Sequence, residues 1–369
     1  MARAGLSPRW ATVWANDFSL EKAKAYRTNW GAAELHVGDV GNVVVSELPD
    51  AEMAWGSFPC QDLSEAGGQE GIGSANESVR TRSGTFWPFW NLVRKKRPPL
   101  VVLENVEGAL TSNDGRDIEA ICSALCVAGY RFGPIVIDAV HWVPQSRRRL
   151  FIVAVDGRFS VPARFTQSGP DALWHTNAVC DAYRSVDSNT QKSWVWWQLP
   201  PPNAQVPRVA RLIDSEPTQW ATWDSTEKTR YLLGLMSPTN QRKLEDAIAL
   251  GHRVVGFGYR RTRHGMQRLE IRFDGVAGCL RTAAGGSSKQ IVIEVVGERV
   301  RTRLLSPREA ARLQGLPDSY QLPENYNDAY DLVGDGLCVP VVRFLGQSLL
   351  TPLAEVFGHP VVQVHEPPH

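Results

Sequence analysis

The sequence predicts an α/β protein: a doubly wound, mostly parallel sheet closed by an antiparallel strand pair, plus a smaller domain. Three observations carry that expectation. Between residue 10 and about residue 155, short β-rich runs alternate with helical stretches, the pattern of a sheet covered on both faces. The later runs FGPIVIDAV and RRLFIVAVD are joined by only about ten residues, too few for a helical crossover, so they pair antiparallel. From about 160 to 280 the alternation stops and gives way to PPPN, WVWWQLP and scattered polar residues, which reads as a second domain.

Element by element, WATVWAND is a strand, and SLEKAKAYRTNWG is a helix capped by Ser19 and ended by Gly31. AEMAWGS is the next strand. FWPFWNLVRKK is a helix that must stop at Pro98 and Pro99, before the strand PLVVLENV. DIEAICSALCVAGY sets Ile118, Ile121, Cys122 and Leu125 at helical spacing, so Cys122 and Cys126 read as core cysteines. The βα character returns near IVIEVV, followed by SPREAARLQG with a capping serine and a proline at the first helical position. The tail VPVVRFLGQSLLTPLAEVF is apolar at helical spacing and is expected to pack on the first domain. The expected division is 1–160, 161–285, and 286–369 returning to the first unit. In the WVWW run the aromatics read as core rather than as a base-stacking platform.

Composition bounds the function. With 369 residues and 43% hydrophobic content there is material for a large core. Forty basic residues balance 39 acidic ones, so any nucleic-acid contact must come from a local patch. No run approaches the roughly 18 consecutive apolar residues of a membrane span, and the start lacks a secretory apolar region, which predicts a cytoplasmic protein. Six cysteines show neither metal-ligand nor disulfide spacing, so no metal is expected.

In an open α/β sheet, ligands sit beyond the carboxyl ends of the strands. Cys60 follows AEMAWGS, and Glu104 ends the strand LVVL. A thiol attacks as its thiolate, which needs nearby positive charge at neutral pH. VPQSRRRLF offers it at a turn between strands. Each piece alone has an ordinary reading: a core cysteine, a helix-capping acid, a solvated arginine turn.

Taken in order, FPCQDLSEAG, LENVEGAL, VPQSRRRLF, LLSPREAARLQGLPDSY and VGDGLCVPVVRFLGQSL resemble the motifs of the cytosine-5 DNA methyltransferases. The resemblance implies a Rossmann-like methyltransferase domain with a target-recognition domain, using S-adenosylmethionine. It implies that Cys60 adds to C6 of cytosine, that Glu104 holds or protonates N3, and that Asn105 positions that carboxylate. Gln145, Arg147 and Arg149 would stabilise the thiolate and the pyrimidine carbonyl or a phosphate. For the cofactor it implies Asp17 on the ribose hydroxyls, Phe18 against adenine, Asp39 near the adenine edge, and Pro59 and Asp335 alongside. An N-terminal acid of the following helix is the ordinary reading of Asp17. Asp335 stands where many relatives carry Asn, so an acid there needs a donor partner. On DNA it implies Ser64 and the run RTAAGGSSKQ, with Arg281, Thr282, Gly285, Gly286, Ser287 and Ser288; a plain polar turn is the alternative.

The partner implied is double-stranded DNA, with the target base flipped from the stack. Residues 67–84 would be the loop closing over it. A cognate restriction endonuclease is a candidate partner, and a monomer is expected. The family also opens with a strand and a Phe-x-Gly-x-Gly turn that this sequence does not contain, which predicts a gap in the sheet. A start placed downstream of the natural one is the favoured account, ahead of a second chain or a true loss. Two other functions stay open: a catalytically deficient DNA-binding relative and an RNA cytosine methyltransferase.

Overall fold

A computed structural model describes residues 1–59, 83–216, 219–263, 265–282 and 289–358. Its strands are β1 (Ala15–Asp17), β2 (Leu35–Val37), β3 (Met53–Ser57), β4 (Leu100–Val106), β5 (Tyr130–Asp138), β6 (Arg148–Asp156), β7 (Thr166–Gln167), β8 (Trp196–Trp197), β9 (Val254–Arg263), β10 (Met266–Arg272), β11 (Ile291–Val296) and β12 (Arg299–Leu304). The helices are α1 (Ala2–Leu6), α2 (Leu20–Trp30), α3 (Phe86–Lys96), α4 (Arg116–Val127), α5 (Asn177–Ser185), α6 (Ser188–Ser193), α7 (Thr226–Gly234), α8 (Pro238–Ala249), α9 (Pro307–Leu313), α10 (Tyr326–Asp335), α11 (Val339–Leu345) and α12 (Thr351–Val356).

The first sheet runs β3-β4-β6-β5, with β3 and β4 parallel and β5 and β6 antiparallel to each other, as expected from their short connection. Strand alternation explains its two cores. Leu100 and Val102 of β4 join the cluster of Leu345, Leu349 and Leu353 on one face. Val101 and Leu103 join Trp90, Val93, Ile121 and Leu125 on the other. A strand buried on both faces reads as a continuous apolar run, which is why LVVL carries no polar alternation.

Local signals behave as anticipated. Ser19 accepts the Lys22 amide at the start of α2, which ends at Gly31 with φ 84°. Ser306 and Glu309 form a reciprocal capping box at α9, with Pro307 first in the helix. The stretch from Tyr326 to Val356 is long and apolar enough to cross a membrane by length and composition, yet most of it is buried within the protein. It is a core segment: α11 and α12 pack on the first sheet.

Two boundaries move. Residues beyond 160 do not leave the first unit: Phe165, Trp174 and Trp197 sit in one of its cores and Val179, Ala182 and Trp194 in the other. The Trp-rich run is therefore packing, with the indole N–H of Trp197 donating to the Gly133 and Val153 carbonyls. IVIEVV does not return to the first sheet either. It is β11, antiparallel to β9 in a second sheet ordered β10-β9-β11-β12. A lone β-rich run carries no mark of which sheet it will join, so periodicity alone misplaced it.

The gap foreseen in the sheet is present among the described residues. β1 and β2 pair parallel as a separate two-stranded sheet, and β1 and β3 each end their own. A cavity of about 740 Å³ lies between them, lined by Trp14–Asp17 from one side and Met53–Trp55 and Ser57 from the other.

Candidate active site

Glu104 and Asn105 show how strand geometry assigns roles. Successive side chains on β4 face opposite ways, so the two cannot serve one site together. Glu104 reaches the cavity, in register with Ser57 on β3. Asn105 points to the other face, where its amide donates to the Phe58 carbonyl at 3.2 Å and its oxygen accepts the Val106 amide. Asn105 therefore does not position the Glu104 carboxylate. It holds the backbone two residues before Cys60.

Glu104 is 8% exposed, and Arg149 Nε stands 3.5 Å from its Oε1. Burial pushes the carboxyl above its ordinary value, and the charge of Arg149, a hydrogen bond from Ser57 and the charge of Arg147 offset this only in part. A carboxyl held toward its protonated form can donate a proton, which suits a group facing a ring nitrogen. The same shift has a sign in stability. The unfolded chain releases this proton first, so the contribution of Glu104 is full below the usual carboxylate range and lost as pH rises through the raised value. Urea unfolding of wild type and Glu104→Gln across that range should show the wild-type stability falling relative to the variant as pH rises. A rising or flat difference would contradict the raised value.

The arginine turn divides its duties. Segment 144–146 is stitched to the stretch that follows β10: the Ala277 amide donates to the Pro144 carbonyl and the Ser146 amide to the Ala277 carbonyl. That turns the neighbouring side chains into the junction. Gln145, fully buried, donates to the Leu313 carbonyl and accepts the Leu280 amide. Arg147, 1% exposed, donates to the carbonyls of Leu280, Gly334 and Gly336 and to Cys279 Sγ at 3.4 Å. Among the described residues, both side chains are committed to this junction, where the expectation had given them to the thiolate or pyrimidine. Arg149 alone of the three lies beside Glu104. Against burial, the charges of Arg147 and Arg149 lower the Cys279 thiol. This residue carried no signal in the sequence.

Asp17 ends β1 and lines the cavity, with Oδ1 accepting the Ser19 amide. Its ordinary role at the helix start and a free carboxylate edge are thus compatible. Asp335 lines the same cavity and has the donor its charge demands: Lys22 Nζ, 2.8 Å away. Lys22 is a second residue the sequence did not point to. Phe18 is 70% exposed and stands outside the lining, where Trp14 and Trp30 supply aromatic surface instead. Asp39 accepts the Gly41 amide and also lies outside it. Pro59 is the last described residue before the 60–82 segment, so Cys60, Ser64 and most of the 67–84 loop lie outside the described residues. Gly285, Gly286, Ser287 and Ser288 do too, whereas Arg281 is exposed and Thr282 half-buried at the junction. Among the described residues, no cluster of metal-ligating side chains occurs.

The carboxyl-end part of the cavity wall carries an acid at a strand end, aromatic rings and a charged pair, groups suited to an adenosyl amino acid.

The sequence model of the C-5 cytosine-specific DNA methylases matches residues 2–351. The type II methyltransferase M.NlaX of Neisseria lactamica is 27% identical over 345 residues, spanning 93% of this chain and 90% of that protein. M.HhaI of Haemophilus parahaemolyticus is 25% identical, spanning 91% and 86%. In fold, the chain resembles the S. pombe Dnmt2 methyltransferase (TM-score 0.54, 16% identity, 96% and 95% covered). A DNA modification methyltransferase encoded within an E. coli prophage, described as putative, is similar to the same degree (TM-score 0.55, 16% identity, 95% of each chain).

Proposed function

Because the chain belongs to the C-5 cytosine-specific DNA methylases, we propose that it methylates a cytosine flipped from a specific duplex sequence, through a covalent bond to Cys60. As a member it is a DNA (cytosine-5)-methyltransferase that uses S-adenosylmethionine. The observation that carries the finer reading is Glu104: a buried carboxyl at a strand end, in register with Ser57 three residues before Cys60, beside Arg149 and open to the cavity.

C5 of cytosine is too weak a nucleophile to take a methyl group unaided. Addition of the Cys60 thiolate to C6 makes C5 enamine-like. A proton held by Glu104 at N3 keeps negative charge off the ring during that addition. The cofactor supplies an electrophilic methyl on a sulfonium. A water molecule takes the C5 proton, Cys60 leaves as its thiolate, and the N3 proton returns to Glu104, which restores the aromatic ring. Since C6 is closed off in stacked DNA, the base must leave the duplex at a cost of a few kcal/mol. Arg281 and Thr282 contact the DNA. In the cofactor site, Asp17 takes the ribose hydroxyls and the aromatic walls the adenine. The enzyme acts as a monomer on intracellular DNA, within a restriction-modification system.

The test is transfer of label from S-adenosylmethionine to cytosine in duplex DNA of mixed sequence, with tRNA in parallel. It uses the 369-residue chain and a version carrying whatever in-frame residues the gene encodes ahead of Met1. Label at C5 in DNA is expected. Label in tRNA alone would transfer the reading to RNA, and salt-sensitive DNA binding with no label in either would mark a non-catalytic relative.

A further inference from the structure

We infer that the start of α5 is a binding site for a phosphate of the DNA strand, formed by Arg148, His175, Thr176 and the first amides of the helix. The inference rests on duplex DNA as the substrate and adds a contact apart from the cofactor cavity and the base site.

A second cavity, of about 570 Å³, has Glu107, Arg148, His175, Thr176, Asn177 and Ala178 in its wall. Arg148 precedes Arg149 on β6, so its side chain leaves the sheet on the face opposite Glu104. The nine-residue helix α5 begins here with an incomplete cap. Thr176 is the N-cap, yet its hydroxyl makes no bond to the helix, and Oγ1 is buried without a hydrogen-bond partner. Among the described residues, the amides of Asn177, Ala178 and Val179 meet no earlier carbonyl, since the first backbone bond runs from Cys180 to Thr176. Orphan amides at the positive end of a helix dipole bind anions.

His175 points to the same ligand independently. It is 3% exposed, and its Nε2 is buried without a hydrogen-bond partner. Nδ1 accepts the Asp171 amide at 2.9 Å, which places the ring proton on Nε2 as a donor. Burial pulls the imidazole down to about 4, so it donates as a neutral group. A buried ring donor and a buried hydroxyl on one wall are costly to keep idle, and a ligand rich in acceptor oxygens satisfies both.

Arg148 supplies the charge. Its guanidinium is 48% exposed, with Nε 3.0 Å from Glu107. Five donors let it keep Glu107 and still reach an anion oxygen. Because Glu107 offsets part of that charge, the pocket suits the single charge of a phosphodiester better than a free phosphate dianion. Glu107 lies three residues beyond Glu104, about 10 Å at the rise of a strand. Each DNA strand carries a phosphate about every 3.4 Å of axis. A strand whose base reaches Glu104 therefore brings a phosphate to α5 a few nucleotides away.

Fluorescence anisotropy on the full chain would follow binding to duplex DNA of mixed sequence between about 50 and 200 mM salt. Arg148→Gln should weaken binding about fivefold on every sequence and reduce the slope of log affinity against log salt by about 0.9, the share of one phosphate. Asn177, exposed at the first helical position, gives the sharper variant. An acid there stabilises a helix but repels a phosphate. Asn177→Asp should weaken DNA binding about tenfold while urea unfolding shows no loss of stability. Thr176→Val keeps the shape, removes the idle hydroxyl and should weaken binding about threefold. Unchanged affinity and slope in all three variants would overturn the inference, as would weaker binding that tracks lost stability. Inorganic phosphate at fixed ionic strength that raises the Tm of wild type but not of Asn177→Asp, with DNA binding unchanged, would assign the site to free phosphate and overturn the strand contact. Wild type that binds tRNA and no duplex would overturn the DNA reading together with this site.

Discussion

Replacing Cys60 with alanine is expected to lower methyl transfer by about 10⁴-fold or more, the scale on which covalent nucleophiles matter. Affinity for duplex DNA should stay within about threefold, since one thiol among many phosphate and base contacts adds little to binding. The reason lies in the chemistry rather than in contact. Without addition at C6, C5 has no enamine character, and no arrangement of Glu104 and Arg149 replaces it. Cys60→Ser should be nearly as inactive, because a serine hydroxyl is far less ionised than a thiol at neutral pH. A cytosine carrying fluorine at C5 provides the positive control. Fluorine cannot leave as a proton, so wild type should become covalently joined to such DNA and the alanine variant should not. Single-turnover transfer and denaturing gels read both outcomes. A covalent complex formed by Cys60→Ala would remove Cys60 from the mechanism.

Much of this was legible in the sequence because it is local. Caps at Ser19 and Ser306, the stop before Pro98, the buried β4 run and the tight β5–β6 connection each depend on residues a few positions apart. The gap between β1 and β3 was expected only through the family resemblance, whose opening strand and Phe-x-Gly-x-Gly turn this sequence does not contain. What could not be read was long-range. Nothing in VPQSRRRLF says that the turn will be stitched to residue 277, so Gln145 and Arg147 were given to the substrate when the junction takes them. Asn105 is a subtler case. Its period-2 offset from Glu104 already placed it on the opposite face, and strict alternation would have separated the two roles. Lys22 and Cys279 acquire meaning only through partners 313 and 132 residues away.

That division of the arginine turn makes its own prediction. Arg147→Ala is expected to destabilise the fold by about 3–5 kcal/mol, while Arg149→Ala costs far less stability and acts on catalysis. Arg147 is buried at the meeting of the first sheet, the 277–282 segment and the end of α10. Its removal leaves the Leu280, Gly334 and Gly336 carbonyls without this donor, and it exposes the Cys279 thiol to a changed field. Arg147→Lys should recover only part of the loss, because an ammonium cannot span carbonyls that a planar guanidinium reaches with two nitrogens. Arg149 is partly exposed and adjoins Glu104 rather than bracing two sheets. Its loss removes the nearest positive charge from that carboxyl, which lets the raised value climb further and shifts the pH profile of transfer toward alkaline pH. Denaturant unfolding and pH–rate profiles on the two variants separate these effects. A stable Arg147→Ala protein with a large loss of transfer would return Arg147 to the substrate, where the order of the motifs first put it.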